Sequence, residues 1–163
     1  MHPRLPLFVF LILLPSASLR GAYDPLLGIW RLNLETTQTH FSPGHPAPKS
    51  QTYTFEVAGS DEIRFRGETV EAEGTLVRSE YTARLDGKDY PATGDPNRDT
   101  VALRRAKPFI TEGTSKKAGQ VTNTFSIVIW GGGLLMTITS TETRDGKVYE
   151  NVAVYNKVLE EVR

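Results

Sequence analysis

From residue 28 onward, the chain consists largely of short runs in which apolar and polar residues alternate. In the run from residue 28 to about 35, Trp30 and Leu32 fall on one face and Arg31 falls on the other. A period of two is typical of a β-strand with one buried face. Threonine is frequent in these runs, which favours sheet over helix. The alternation therefore predicts an all-β protein.

The same alternation predicts further strands, and turn residues separate them. These strands are expected at residues 52–57, 63–66, 74–85, 88–91, 100–105, 109–113, 120–130, 134–144 and 147–158. Asp86-Gly87 and Asp145-Gly146 are predicted to be two-residue hairpin turns. The proline-rich residues 42–48 and the polar residues 92–99 are predicted to be loops.

No helical pattern interrupts these runs, so consecutive strands are expected to pair antiparallel. An open sheet of this many strands would expose both of its edges. We therefore predict one domain over residues 23–163, a closed, antiparallel, up-and-down β-barrel of about 8–10 strands.

Residues 1–22 have the pattern of a signal peptide. Arg4 gives a basic start, residues 5–14 form an apolar run, and Ser16 and Ser18 are small residues suited to a signal peptidase. The apolar run is about half of the ~20 residues that a membrane span needs. We expect cleavage after Ser18 or Ala22 and no integral membrane span, with an uncleaved signal anchor as the alternative.

Composition indicates where the protein works and which partners are excluded. The chain has no cysteine, so it has neither disulfides nor a lipoprotein anchor, which favours a bacterial cell envelope. We expect export to the periplasm or the extracellular space. Removing Arg4 and Arg20 with the signal leaves 17 basic against 19 acidic side chains. Such a balance gives no overall electrostatic reason to bind nucleic acid or anionic lipid.

Both ends of the barrel sequence resemble a known group. Gly28-Ile29-Trp30-Arg31-Leu32 resembles the opening Gly-x-Trp strand of the calycins, which include lipocalins and fatty-acid-binding proteins. Val154-Tyr155-Asn156-Lys157 is similar to the closing Val-Tyr-Glu-Lys strand of the fatty-acid-binding branch. The segments SEYTA at 79–83, DGKDYP at 86–91 and TGDPN at 93–97 further resemble a group of small secreted bacterial barrels of uncharacterised function. The resemblance implies a calycin-like barrel with a small, largely apolar ligand in its interior.

Two positions depart from the fatty-acid-binding branch. That branch carries an arginine two residues before the closing tyrosine, and both hold the carboxylate of the ligand. Here Tyr155 is present, but Ala153 replaces the arginine and cannot bind a carboxylate bidentately. Arg104 or Arg105 could supply the charge, because neighbouring strand residues face opposite sides; Arg104 enters the predicted site. The branch also has two helices after its first strand, where this chain has the loop at 42–48.

Inward-facing aromatic residues are the main candidates for binding. The predicted ligand-binding set is Trp30, Tyr53, Phe55, Tyr81, Arg104, Phe125 and Tyr155. An open cavity of several hundred Å³ would support this function, whereas the same side chains could instead fill a narrow barrel. Trp30 is expected mainly to plug the closed end of the barrel, with Lys157 or a nearby arginine over its ring.

Other motifs indicate chemistry only weakly. His40 and His45 could ligate a metal, and Glu68, Glu71 and Glu73 could act as acid and base, but solvated loop residues explain both sets better. The chain has no Gly-x-Ser-x-Gly elbow and no thiol. We predict a protein that is not an enzyme and that has no catalytic residues, cofactor or metal.

An apolar loop tip suggests a different function. Trp130, Leu134 and Leu135 flank three glycines and could contact a partner or a membrane surface if exposed, or pack over the barrel mouth. The alternative function is therefore a non-enzymatic cell-envelope interaction or structural module with a filled barrel and an envelope protein partner. An enzyme built inside the barrel is the third hypothesis. In each case a monomer is expected.

Overall fold

The computed structural model describes residues 24–36, 39–43 and 46–159, so the predicted signal peptide lies outside the described residues. Ten strands follow one another through the described part of the chain. They are β1 Gly28–Leu32, β2 Ser50–Val57, β3 Glu62–Val70, β4 Leu76–Arg84, β5 Asp86–Thr93, β6 Thr100–Lys107, β7 Ile110–Lys117, β8 Gln120–Trp130, β9 Leu135–Arg144 and β10 Lys147–Val158. A single turn of 3₁₀-helix, Gly131–Gly133, joins β8 to β9.

The ten strands form one closed barrel. Each strand pairs antiparallel with the next in sequence, and β1 closes the sheet by pairing with both β2 and β10. Trp30 lies opposite Tyr53 on one side and Lys157 on the other. This arrangement confirms the predicted all-β, up-and-down barrel, with a strand number at the top of the expected range.

Alternate residues of each strand converge in the barrel interior. In β3, Ile63 and Phe65 are buried, whereas Arg64 and Arg66 are exposed. The period of two in the sequence is therefore the inside–outside period of the barrel.

The two ends of the barrel differ. We call the end that carries residues 24–27, the 108–109 turn and the 3₁₀-helix the closed end. The open end carries the 33–49 connection, the 71–75 turn and the 94–99 loop. No helix among the described residues is long and apolar enough to cross a membrane.

Trp30 plugs the closed end, as predicted. It is completely buried, and its indole Nε1 donates a hydrogen bond to the carbonyl of Leu26 at 2.9 Å. The ammonium of Lys157 lies 5.0 Å from the centre of the Trp30 ring, a cation–π distance. Trp30 therefore belongs to the core of the closed end and does not line an interior cavity.

Both predicted turns lie where the chain reverses between antiparallel strands. Asp145 and Gly146 have φ of 50° and 72° and join β9 to β10, as expected of a two-residue hairpin turn. Asp86-Gly87 lies at the reversal from β4 to β5, whose register pairs Glu80 with Thr93 and Tyr81 with Ala92. Gly87 has φ of 81°, and Oδ1 of Asp86 accepts from the backbone N–H of Lys88 at 3.0 Å, while Asp86 also pairs with Arg104 of β6.

The first strand ends earlier than predicted. Asn33 accepts hydrogen bonds from the backbone N–H of Glu35 at 3.0 Å and of Thr36 at 3.2 Å. Asparagine commonly turns the chain in this way. The described residues of the 33–49 connection contain no helix, and His40 forms an isolated bridge to Val152.

Candidate ligand-binding site

A cavity of about 180 Å³ lies in the open half of the barrel. Five of the predicted binding residues line it, namely Tyr53, Phe55, Tyr81, Phe125 and Tyr155. Phe41 and Arg98 reach the cavity from connections at the open end. The strands thus bring together most of the aromatic set that the alternation placed on inward faces.

The cavity is small for a ligand-binding site. Most small-molecule pockets measure about 300–1,000 Å³, whereas about 150 Å³ is enough to hold benzene. The interior is thus neither widely hollow nor completely filled, because stacked aromatic side chains occupy much of it. The remaining 180 Å³ suits a single ring or a short chain.

Aromatic rings from four strands form one continuous wall. Phe65 stacks on Tyr81 with ring centres 4.6 Å apart, and Tyr53 meets Phe65 edge-on at 5.0 Å. Tyr53 also stacks on Tyr155 at 5.2 Å. Such pairs stabilise the core beyond the effect of their buried area. The wall gives a bound ring flat apolar surfaces.

Gly113 makes room for the opposite wall. A Cβ atom at this position would lie 2.1 Å from Cζ of Phe125, so the Phe125 ring can rest directly on the backbone of β7 only above glycine. This close approach sets how far Phe125 extends into the cavity.

Neutral hydroxyl and amide groups interrupt the aromatic wall. The Tyr155 hydroxyl donates a hydrogen bond to Oε1 of Gln51, whose Nε2 donates to Oγ1 of Thr69 at 2.9 Å. Burial raises the pKa of Tyr155 well above its ordinary range, and the neighbouring Tyr53 adds to that shift. Burial also raises the pKa of Tyr53 and Tyr81, although Arg98 partly opposes it. All three phenols are therefore protonated at physiological pH.

Two charged residues of the cavity lining, Arg98 and Glu142, were not predicted from the sequence; Glu142 pairs with Arg144 at 2.8 Å. The side chain of Arg98 is 14% exposed, and its guanidinium carbon lies 5.6 Å from the centres of both the Phe65 and Tyr81 rings. Nη2 donates to Oγ of Ser79 at 3.1 Å. Nε lies 3.4 Å from Oδ2 of Asp95 but has no hydrogen-bond partner among the described residues. A cation paired with Asp95 therefore borders the cavity.

The 94–99 loop holds Arg98 in this place. Gly94 has φ of 83°, and a Cβ there would lie 1.9 Å from the carbonyl oxygen of Arg78, so the loop packs directly on β4. The backbone N–H of Asn97 donates to Oδ1 of Asp95 at 2.9 Å, which tightens the turn before Arg98. The Gly-Asp-Pro-Asn sequence signals the turn, but nothing in it shows that the next side chain enters the barrel.

Arg104 is not part of the cavity, which corrects the sequence prediction. It is exposed on the outer face and forms an ion pair with Glu112 of β7. Buried Leu103 sets the parity of β6, so Arg105 is the neighbour with inward parity. Arg105 lies at the closed end and pairs with Asp24.

A polar acceptor remains without a partner inside the barrel. Oδ1 of Asn123, on the cavity wall, is buried and has no hydrogen-bond partner among the described residues. Leaving such an atom unpaired is costly. A ligand hydroxyl or a bound water would satisfy it.

The remaining candidate motifs do not converge on this site. His40 is exposed, and His45 lies outside the described residues. Glu68 forms an exposed ion pair with Arg78 at 2.8 Å, and Glu71 and Glu73 belong to the following turn. Within the described ranges, no three His, Cys, Asp or Glu side chains are grouped to hold a metal.

The apolar tip at Trp130 lies at the opposite end of the molecule. Trp130 and Leu134 are 39% and 48% exposed, and they border a groove on the outside of the closed end. The sequence left open whether this tip is exposed or packs over the barrel mouth. In the structure it is exposed.

Comparison with known proteins identifies the fold. No protein-family model and no curated protein matches the chain. A mutant of the fluorescent protein UnaG aligns with a TM-score of 0.60 at 16% identity, covering 84% of this chain and 99% of that one. Wild-type UnaG aligns with a TM-score of 0.57 at 14% identity, covering 83% and 98%. The zebrafish ileal bile acid-binding protein in complex with cholic acid gives 0.47 at 13% identity, covering 82% and 99%. The chain has a calycin-like barrel, as the resemblance of its two ends implied.

Proposed function

We propose that this protein binds a small anionic molecule, built on a single ring or a short apolar chain, in the interior of the barrel. Arg98 carries the proposal, because it is a mostly buried cation that lines the cavity, whereas the carboxylate of the lining, Glu142, is paired with Arg144. The calycin-like fold supports interior binding by analogy, while the specific residues define the chemistry.

The arrangement suits a carboxylate attached to an aromatic ring. A guanidinium holds a carboxylate through strong charge-assisted hydrogen bonds. Phe65 and Tyr81 supply stacking surfaces for the ring, while the Tyr155 hydroxyl already donates to Gln51. Arg98 thus replaces, from a loop, the charge that Ala153 does not provide on the last strand.

Cavity size limits the ligand. About 180 Å³ accommodates one ring, whereas a long fatty acid needs a larger pocket. We therefore propose a ligand distinct from the long-chain acids that the family resemblance alone would suggest.

We further propose a carrier and not an enzyme. The cavity tyrosines have raised pKa values and stay protonated, so they support hydrogen bonding and not proton abstraction. A monomer suffices, since one chain supplies all of the cavity residues named above.

Export is also a proposal, and it rests on the apolar run at residues 5–14 and the small residues Ser16 and Ser18. Intact-mass measurement of the protein from a bacterial host with its export pathway tests it. We expect the chain to begin at Leu19 or Tyr23; a chain that retains residue 1 in every fraction would contradict export by cleavage.

The binding proposal is tested by isothermal titration with matched ligands. Phenylacetate carries a ring and a carboxylate, 2-phenylethanol replaces the carboxylate by a hydroxyl, and palmitate is a long acid. We expect phenylacetate to bind most tightly, and Arg98→Ala to weaken it about tenfold or more, since a charged hydrogen bond contributes about 1.5–3 kcal/mol.

Arg104→Ala is the matched control, because Arg104 is an exposed arginine on the outer face. It should leave phenylacetate affinity unchanged. Equal affinity in wild type and Arg98→Ala, or tighter binding of palmitate than of phenylacetate, would overturn the proposal.

A further inference from the structure

We infer that the ligand carries a hydrogen-bond donor, a hydroxyl or an ammonium group, on the carbon next to its carboxylate. The ligand class is then a single-ring α-hydroxy or α-amino acid. This inference rests on the proposed function and narrows it. It is carried by polar side chains on the barrel wall that the proposed contact between Arg98 and the carboxylate does not use.

The cavity has two chemically different sides. Strands β2, β3 and β4 supply aromatic rings, those of Tyr53, Phe65 and Tyr81 among them. The side formed by β8 and β9 carries Asn123 and Glu142 near the open end of the barrel. A ligand that contacts both sides needs a flat apolar face and a polar group in addition to its carboxylate.

Three inward residues form what we call the polar row. Ser115 of β7 pairs in register with Asn123 of β8, and Asn123 pairs with Glu142 of β9. The Cβ atoms of directly paired strand residues lie about 4.5–5.5 Å apart. The polar row therefore presents neighbouring side-chain oxygen atoms at one level of the barrel.

Two oxygen atoms of the polar row lack a partner. Ser115 is 2% exposed, and its Oγ is buried without a hydrogen-bond partner among the described residues. The same is true of Oδ1 of Asn123, so the two atoms do not bond to each other. Leaving buried polar atoms unpaired is costly. Both atoms can accept a hydrogen bond, so the ligand group that satisfies them is a donor.

The third member of the polar row favours the same chemistry. Glu142 lines the cavity with a side chain that is 14% exposed. Arg144 is 45% exposed and donates to Oε1 of Glu142 at 2.8 Å. A carboxylate in this position attracts an ammonium group and accepts from a hydroxyl, whereas it repels a second carboxylate.

The polar row lies beside Arg98. Oγ1 of Thr122 donates to the carbonyl of Asn97 at 2.9 Å. Thr122 precedes Asn123 and Asn97 precedes Arg98, so this bond ties the loop that carries the cation to the strand that carries the orphan acceptor. A carboxylate at Arg98 and a donor at Asn123 therefore belong to the same end of the ligand. This proximity places the donor on the carbon next to the carboxylate, with the ring directed to the aromatic wall.

The test compares three acids that share one skeleton. At the carbon next to the carboxylate, phenylacetate has only hydrogen, mandelate has a hydroxyl and phenylglycine has an ammonium group. Isothermal titration of the full chain measures each, with the two enantiomers of mandelate and of phenylglycine titrated separately. Whichever substituted acid gains affinity identifies the donor as hydroxyl or ammonium.

We expect one enantiomer of mandelate or of phenylglycine to bind at least fivefold more tightly than phenylacetate, since it gains a hydrogen bond. Its mirror image should bind no more tightly than phenylacetate. With the carboxylate at Arg98 and the ring against the aromatic wall, the donor of the mirror image points away from Asn123.

Asn123→Leu removes the acceptor at similar side-chain size. The ratio of the affinities of the favoured enantiomer and phenylacetate should fall to about one in this variant. Asn156→Leu is the matched control, because Asn156 is exposed on the outer face of β10, and it should keep the wild-type ratio. Near-ultraviolet circular dichroism checks folding, and Ser115→Ala, which removes one hydroxyl from the polar row, gives a milder version of the test.

The results separate this inference from the proposed function. If phenylacetate binds through Arg98 but no enantiomer gains affinity over it, the inference is wrong and the proposed function holds. A gain that persists in both Asn123→Leu and Ser115→Ala would also overturn the inference, because the donor would then bind elsewhere. If none of the three acids binds, both are overturned.

Discussion

The guanidinium carbon of Arg98 lies 5.6 Å from the centre of the Tyr81 ring, and that ring stacks on Phe65 at 4.6 Å. A cation borne by a loop is thus seated against the aromatic wall of the barrel. Asp95 lies on the loop side of this cation, 3.4 Å from Nε. The three groups place a cation and its ion-pair partner Asp95 beside the cavity.

Asp95 is expected to compete with an anionic ligand for Arg98. Asp95→Asn keeps the side-chain oxygen that accepts from Asn97 and removes the negative charge. Phenylacetate affinity should therefore rise in Asp95→Asn, in contrast to its fall in Arg98→Ala, as measured by isothermal titration. Asp89→Asn, which neutralises an exposed partner of Lys116, is the control and should change nothing. A fall in affinity for Asp95→Asn would show that Asp95 positions Arg98 and does not compete.

The hydroxyl of Tyr155 is expected to stabilise the interior. Tyr155→Phe removes the donor to the part-buried Oε1 of Gln51. The free energy of unfolding should fall by about 1–3 kcal/mol, the cost of an unsatisfied buried acceptor. Tyr90→Phe, which removes an exposed bond to Asp86, should change it by less than about 0.5 kcal/mol. Urea denaturation measures both, and equal effects would contradict the assignment.

Gly113 is expected to control the cavity. In Gly113→Ala the new Cβ would lie 2.1 Å from Cζ of Phe125, so the ring must move towards the cavity. We expect a loss of about 1–3 kcal/mol in the free energy of unfolding, together with weaker ligand binding. In Gly59→Ala the new Cβ meets only the flexible end of Glu62 at 3.3 Å, and little change is expected. Wild-type stability and affinity in Gly113→Ala would show that the wall is less tightly packed.

The barrel and its aromatic wall could be predicted from the sequence, because both follow from the alternation of apolar and polar residues along each strand. Once Tyr53, Tyr81 and Tyr155 are assigned to inward faces, closure of the sheet brings them to one interior. The Trp30–Lys157 contact was predictable for a related reason, since each residue belongs to one of the two terminal strands that close the barrel.

Other parts of the site depend on contacts that the alternation of apolar and polar residues does not predict. Arg98 follows a turn, where strand parity gives no information about direction. Predicting which arginine faces the interior required a choice between the adjacent residues Arg104 and Arg105. The burial of Leu103 shows that Arg104 faces outward, but this burial is known only from the structure. The small cavity results from stacking between rings on non-adjacent strands, such as Tyr53 and Tyr155.

Alkaline pH is expected to destabilise the fold through the buried tyrosines. Unfolded tyrosines ionise near pH 10, whereas the pKa values of Tyr53, Tyr81 and Tyr155 are raised in the folded protein. Their contribution is therefore fully present below about pH 10 and is lost as pH rises towards the folded values, because the unfolded chain releases protons that the folded chain keeps.

Lys157 acts in the opposite sense. Burial lowers its pKa, so it makes stability rise with pH between that lowered value and about 10.5. Above this window the three tyrosines dominate. Guanidinium midpoints between pH 8 and pH 11 should fall above pH 10, and Tyr155→Phe should make that fall shallower. An unchanged slope in Tyr155→Phe would contradict the burial of its hydroxyl.

Native mass spectrometry shows directly whether the barrel holds an acidic ligand at Arg98. The protein is purified from a bacterial host that exports it, without organic solvent, and measured before and after denaturation. We expect a reproducible adduct with the mass of a small single-ring or short-chain acid, lost on denaturation and absent from Arg98→Ala. A bare chain even after incubation with phenylacetate and related acids, or the same adduct on Arg98→Ala, would contradict this expectation.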